Sequence, residues 1–306
     1  MEVCDKLVSV IIPTYCRSKK IGRAIQSVLN QTYKNIEVLV IDDNDPITLE
    51  RQETQKEMEK YLNYSKVRYV LHQRNLGGSK SRNTGIAIAK GDYISFLDDD
   101  DWYEPMKIEI EVKMLESLSG KRVGIVYCDM RGLNDYGEQK WIHKSRYEGL
   151  PFVECVTVDC ISPTSTWLCT KEALHFVEGF PIVPCKQDII MMAMLIAEGF
   201  QIFNVPQILV NFSCHSETRI SGSPQRAIFG LNAVREFARK NYASLQQSDI
   251  KKIEAINATR LFNLYAELGD RENLKAELRI IYRFANTKTK IKYSIKRALA
   301  KWQTNN

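Results

Sequence analysis

Three segments set polar or charged side chains directly behind short β-branched runs. Leu7–Ile12 is followed by Pro13-Thr14-Tyr15-Cys16-Arg17, Ile36–Ile41 by Asp42-Asp43, and Tyr93–Leu97 by Asp98-Asp99-Asp100-Asp101. Ligands of an open parallel sheet gather at the carboxyl ends of its strands. If the three runs are neighbouring strands, carboxylates, a tyrosine and an arginine converge on one cleft. Four consecutive acids repel one another and raise one another's pKa. A hard divalent cation, Mg²⁺ or Mn²⁺, removes that cost, because one or two carboxylates hold it and phosphate oxygens and water complete its shell. A solvated acidic turn before the helix near Pro105 accounts for one aspartate, not for four. Arg74–Asn83, with Gly77-Gly78, Lys80 and Arg82, joins a helix start to several cations and favours an anion. A plain left-handed turn at the two glycines explains the same stretch equally well. Neither a G-x-G-x-x-G after the first strand nor a G-x-x-x-x-G-K-[ST] is present, so phosphate falls to a metal and to side chains.

Helical periodicity separates the strands that must position these groups. Helices are expected over Lys20–Asn30, Thr48–Leu62, Gly78–Ala89 and Pro105–Leu118, and further strands at Val67–Leu71 and Val123–Cys128. Strands alternating with helices of ten to fifteen residues indicate βαβ units and an α/β fold with a mostly parallel, Rossmann-like sheet. After about residue 130 the pattern changes. Gln139–Tyr147, Thr164–Thr170, a helix at Gln187–Glu198 and a strand at Ile202–Phe212 read as an antiparallel addition at one end of the sheet. From Pro224 on, the chain is helical through Arg226–Asn241, Ser248–Leu268 and Arg271–Ala285. A boundary near residue 222, at Ser221-Gly222-Ser223-Pro224, gives a catalytic domain over 1–222 and a helical region over 223–306.

The 306 residues, 44% hydrophobic and 26% charged, are ordinary for a globular protein and exclude a disordered or collagen-like chain. No apolar run approaches the roughly 20 residues of a membrane span. The start, MEVCDKLVSVIIPTY, lacks the basic beginning and longer apolar core of a signal peptide. None of the eight cysteines forms a C-x-x-C pair, so free thiols in a reducing cytosol are expected.

The net charge of +6 is local. Lys288, Lys290, Lys292, Lys296, Arg297 and Lys301 lie in an acid-free tail, and without them the bases equal the 37 acids in number. One local anionic partner is expected, and no nucleic acid. Ile291, Ile295, Leu299 and Trp302 fall on one helical stripe among these bases, the pattern of an interfacial membrane helix. A helix docked on its predecessors with its bases in water is the other reading.

As a set, Ser9-Val10-Ile11-Ile12-Pro13-Thr14-Tyr15, Asp42-Asp43, Arg74-Asn75-x-Gly77, Arg82-Asn83-x-Gly85 and Gly91–Asp101 resemble glycosyltransferase family 2, over about residues 7–215. The resemblance implies a GT-A fold and an inverting transfer of sugar from a nucleoside diphosphate donor, with uridine the favoured base. It implies that Asp43, with Asp42 as a further candidate, bonds the base, that Asp98 or Asp99 holds the ribose, and that Asp100 binds Mn²⁺ or Mg²⁺. Pro13, Tyr15, Arg17, Arg74 and Arg82 complete the expected donor site, and Asp98 is a second metal-ligand candidate. The family's general base is an Asp, usually in a Glu-Asp pair opening a late helix. Lys186-Gln187-Asp188 stands there, Gln187 replacing the Glu, so Asp188 is the expected base and Asp159 the runner-up. His215 matches a late His that touches metal or diphosphate. Trp102 either stacks on a sugar or packs under the acid loop, and Trp167 falls where the family lines the acceptor site.

The expected enzyme builds a bacterial cell-surface polysaccharide, such as a capsule, on a glycan or lipid-linked glycan acceptor. It works in the cytoplasm at the inner face of the cell membrane, held there by residues 287–302, and a homodimer is compatible with the sequence. A nucleotidyltransferase would carry a Gly-rich basic loop after strand one, where this chain has Pro13-Thr14-Tyr15. An inactive membrane-peripheral scaffold would have lost the acid cluster or Asp188, and both are present.

Overall fold

Apolar side chains of the first strand point to both faces of a sheet, and helices cover both. The computed structural model describes residues 5–158, 160–214 and 223–302, the last eight by their backbone alone. The chain runs β1 (Val8–Thr14), α1 (Ser18–Leu29), β2 (Ile36–Asp42), α2 (Leu49–Met58), β3 (Val67–Leu71), α3 (Gly78–Ile88), β4 (Tyr93–Phe96), β5 (Trp102–Tyr103), α4 (Lys107–Ser117), β6 (Val123–Leu133), β7 (Gln139–His143) and α5 (Phe152–Thr157). It continues through a 3-10 turn (Thr164–Thr166), β8 (Trp167–Thr170), α6 (Lys171–Phe176), α7 (Gln187–Ala197) and β9 (Gln201–Ser213). Helices α8 (Pro224–Lys240), α9 (Gln247–Glu267), α10 (Arg271–Phe284) and α11 (Thr287–Trp302) follow.

The strands form one sheet in the order β3-β2-β1-β4-β8-β6-β9-β5, with β7 on the side of β6. The half that carries the acids is parallel: β1 pairs with β2 and β4, and β2 with β3. Thr14 lies opposite Asp42, and Ile11 opposite Phe96, so β1, β2 and β4 bring their carboxyl ends to one edge. The other half is mixed, with β8 antiparallel to β4 and β6, and β9 parallel to β6. The expected α/β sheet with an antiparallel addition and a helical C-terminal region is therefore present.

Val8, Val10 and Ile12 pack with Ile21, Ala24, Ile25 and Val28 of α1 and Ile108 and Val112 of α4 in one core. Ile11 points to the opposite face, where α3 crosses so closely that a Cβ on Gly85 would sit 2.5 Å from its side chain. Only glycine permits that approach. The strand expected at Val123–Cys128 runs on to Leu133, because β9 pairs along its whole length and its second half gains β7 as well. Helices α5 and α6, six residues each, and the two-residue β5 are too short for periodicity to reveal.

Beneath β4, Lys107 and Glu111 of α4 form an ion pair at 2.6 Å with both side chains fully buried. Burial pushes the Glu111 carboxyl up to about 7 against the pull of Lys107. Removing one partner strands the other charge. Lys107→Met is therefore expected to cost about 3–5 kcal/mol, and Lys107→Met with Glu111→Leu to recover most of it. Denaturant melts of the two variants check this, and a single variant as stable as the double one contradicts it.

The chain divides into two compact units. One comprises Met1–Pro151, Cys160–Ile182 and Met191–Glu217, and the other Phe152–Asp159, Val183–Ile190 and Thr218–Asn306. In the second, Ala258, Phe262, Leu278, Ile281 and Tyr293 share a core. Arg235 is buried between Glu254, at 2.9 Å, and Glu277, at 2.9 Å. Tyr293 of α11 sits edge-on to Phe262 at 5.0 Å, its hydroxyl donating to the Thr259 carbonyl and accepting from Asn263. Ile291 is 57% exposed.

Candidate active site

Of the four acids behind β4, Asp99, Asp100 and Asp101 are buried and Asp98 is half-buried. Asp99 and Asp101 point inward, where Asp99 accepts from Thr14 Oγ1 at 2.8 Å, Tyr15 N–H at 3.3 Å and Arg17 Nη1 at 3.0 Å. Burial pushes its carboxyl up to about 7, against Arg17, which pulls it down. Asp101 accepts from Ser165 Oγ at 2.8 Å and Ser213 N–H at 3.3 Å. Burial raises it well above the ordinary carboxylate range, and repulsion from Asp98 and Asp100 adds to this. Asp98 is the most open of the four, its side chain 38% exposed, and meets Arg82 Nη2 at 2.6 Å. Asp100 lies 2.6 Å from Arg17 Nη1, which thus bridges Asp99 and Asp100. Its main-chain carbonyl accepts from Arg23.

Among the described residues no group of three or more His, Cys, Asp or Glu side chains could hold a metal ion by itself. The donor set nonetheless fits Mg²⁺ or Mn²⁺ in the form that takes one or two carboxylates and finishes its shell with substrate phosphate oxygens. Asp98 and Asp100 are hard oxygen donors, each now paired with an arginine, Asp98 with Arg82 and Asp100 with Arg17. Arginines now balance their charge.

At the end of β2 the two aspartates differ. Asp42 is fully enclosed. Its carboxylate accepts from Asn44 N–H and Nδ2 and from the Tyr69 hydroxyl, and lies 3.3 Å from Arg51 Nε. It holds the loop together and presents no edge to a ligand. Asp43 meets His72 Nδ1 at 2.7 Å and accepts from the backbone N–H groups of Leu76, at 2.8 Å, and Gly77, at 2.7 Å. Two of the backbone donors expected to cradle an anion are thus committed to Asp43. Gly77, at φ 86, supplies the left-handed turn that aims them. Arg74 is exposed, and Arg82 is buried with its Nε unpartnered among the described residues. Pro13 lies on β1 beside Ile41, and Tyr15 is 44% exposed.

Trp167, which the resemblance puts in the acceptor-lining region, is fully buried, donates from Nε1 to the Ser162 carbonyl and stacks on Phe180. It is a core residue, because β8 runs between β4 and β6. Trp102 lies under Arg23, whose guanidinium is 3.7 Å from the ring centre. In the second unit, Asp188 stands half-buried in the first turn of α7, where the helix dipole favours a carboxylate. Lys186 enters that helix at φ 59. Burial, with the charge of Asp188, pushes the Cys155 thiol up. His215 and Asp159 lie outside the described residues. Seven cysteines, Cys16, Cys128, Cys155, Cys160, Cys169, Cys185 and Cys214, are free thiols.

His72, Thr14, Arg23 and Ser165 also hold the site, and sequence reasoning did not single them out. Their signals are weak: a lone histidine, a threonine at a strand end, a helical arginine and a serine in a Thr-Ser-Thr turn.

The model of Glycosyl transferase family 2 matches residues 9–171. The amylovoran biosynthesis glycosyltransferase AmsB of Erwinia amylovora is 33% identical over 129 residues, 42% of this chain and 42% of AmsB. The chain spans less than half the length of the curated relatives it matches. Among solved structures, S. aureus TarS 1-349 in complex with UDP-GlcNAc superposes with a TM-score of 0.62 at 17% identity, covering 90% of this chain and 91% of that one. The mannosyltransferase PcManGT from Pyrobaculum calidifontis, in complex with GDP-Man and Mn²⁺, gives 0.60 at 17% identity, covering 96% and 80%. These two likenesses bear out the fold.

Proposed function

We propose, given that this chain belongs to glycosyltransferase family 2, that it moves a sugar with inversion from a nucleoside diphosphate donor, UDP-linked, to an acceptor hydroxyl. The acceptor is a lipid-linked or growing cell-surface polysaccharide. The observation that carries this reading is the split acid turn, with Asp98 and Asp100 beside Arg17 and Arg82 at the carboxyl ends of parallel strands. The UDP-GlcNAc bound by TarS and the polysaccharide named for AmsB support the donor and acceptor classes.

Asp98 and Asp100 would hold Mn²⁺ or Mg²⁺, whose charge stabilises the departing diphosphate. Arg17 and Arg82 supply positive charge at the same edge. Asp43, locked by His72 and the backbone of 76–77, shapes the pocket for the base, with the exposed Tyr15 and Arg74 beside it in the proposed donor set. Asp188 takes the proton of the attacking acceptor hydroxyl, and His215, outside the described residues, is assigned to the metal or the diphosphate. A panel of nucleotide sugars incubated with the protein and Mn²⁺ tests the reading: release of UDP from a UDP-sugar is expected. Release of GDP alone would change the base, and release of no diphosphate would refute the transferase.

The tail is assigned to an anionic membrane surface, which puts the enzyme at the cytoplasmic face of the cell membrane. No helix among the described residues is long and apolar enough to cross a membrane, and the proposed contact is a peripheral one through the basic helix. Ile291 is exposed while Tyr293 docks on the preceding helices, which supports a helix anchored by one face at its start. Deleting residues 295–306 spares Tyr293 and removes Lys296, Arg297 and Lys301. At about 1 kcal/mol per base, binding to anionic vesicles should fall on the order of 100-fold with the melting temperature unchanged. Unchanged vesicle binding with a lower melting temperature would mean that the tail is packing, not an anchor.

A further inference from the structure

We propose that Ser165 is the positioning residue of the acid turn. Its hydroxyl donates to Asp101 Oδ2 at 2.8 Å and accepts the Asp98 N–H at 3.2 Å. One oxygen therefore grips the first and the last residue of the four-acid turn, which closes on itself through Asp101 N–H to the Asp98 carbonyl at 3.0 Å. With both ends fixed, Asp98 is held through its own backbone N–H, and Asp100 is held between Asp99 and Asp101.

Ser165 can do this because it is itself immobile. It is 1% exposed and lies in the 3-10 turn of Thr164–Thr166. Thr166 Oγ1 ties that turn to the Pro163 carbonyl at 2.7 Å. The next residue, Trp167, is tied at both ends: its carbonyl accepts from Ser95 Oγ of β4 at 2.6 Å, and its indole donates to Ser162. Strand β8 then pairs with β4 itself, Leu168 opposite Ser95. The strand that delivers the acids is thus braced, through β8 and Ser165, against the turn it delivers. Groups that orient metal-binding carboxylates from behind typically affect metal affinity by about 10–100-fold when removed.

The inference rests on the reading of Asp98 and Asp100 as metal and donor carboxylates, and the experiment separates the two. UDP is titrated calorimetrically into the wild type, Ser165→Ala and Ser165→Cys, each with Mn²⁺ and with EDTA. The expected result is a wild type that binds UDP more tightly with Mn²⁺. Ser165→Ala should bind as the wild type does in EDTA but lose about 10–100-fold of affinity with Mn²⁺. The near-isosteric Ser165→Cys, which lengthens both contacts, should lose part of the same gain, and it carries the test if the alanine variant does not fold. Variants with the wild-type Mn²⁺ response would overturn the role of Ser165 alone. Equal losses with and without metal would reduce Ser165 to general stability and overturn it too. A wild type indifferent to Mn²⁺ would remove the metal reading and this proposal together.

Discussion

Asp188→Asn is expected to lower turnover by about 10²–10⁴-fold, the scale of a lost general base, while UDP affinity stays at the wild-type value. Asparagine keeps the shape of the side chain and still suits the first turn of α7, so the helix should form as before. It cannot accept the proton of the acceptor hydroxyl. The neighbouring Gln187, whose Oε1 is buried without a partner among the described residues, is uncharged and cannot substitute. Steady-state rates at saturating donor, beside a UDP titration, check the split between chemistry and binding. Near-normal turnover would move the base elsewhere, with Asp159 next in line.

Asp100→Ala should act on the other side of the reaction. Its carboxylate, paired with Arg17 at 2.6 Å, is the proposed metal ligand. Loss of one charge-stabilising group at the leaving diphosphate typically costs about 10²–10³-fold in rate. Arg17 keeps Asp99 at 3.0 Å, so the loop after β1 retains its anchor and the melting temperature should hold. Turnover close to wild type in Mn²⁺ would show that Asp100 neither binds the ion nor senses it.

The parallel half of the sheet was legible because each β-branched run gives way at its end to polar or turn-favouring residues, although β1 and β2 run on through Pro13-Thr14 and Asp42. The convergence of those ends followed from the rule for parallel sheets. Which of the four acids face inward was not legible, since it depends on Thr14, Ser165 and Ser213, 64 to 112 residues away along the chain or across the sheet. For the same reason a lone histidine such as His72 carries no signal in the sequence: its role exists only once β3 lies beside β2 and the ring meets Asp43. Trp167, which the resemblance puts in the acceptor-lining region, is a core residue because the strand it begins is inserted into the middle of the sheet. The segments 152–159 and 183–190 belong with the helical unit, and nothing in their composition marks them.

On the proposed reading, the acid turn behind β4 binds a nucleoside diphosphate through a divalent cation. Calorimetric titration of UDP into the wild-type protein, once in EDTA and once in Mn²⁺, tests it most directly. Clearly tighter binding is expected in Mn²⁺. Equal affinity in the two solutions would contradict it.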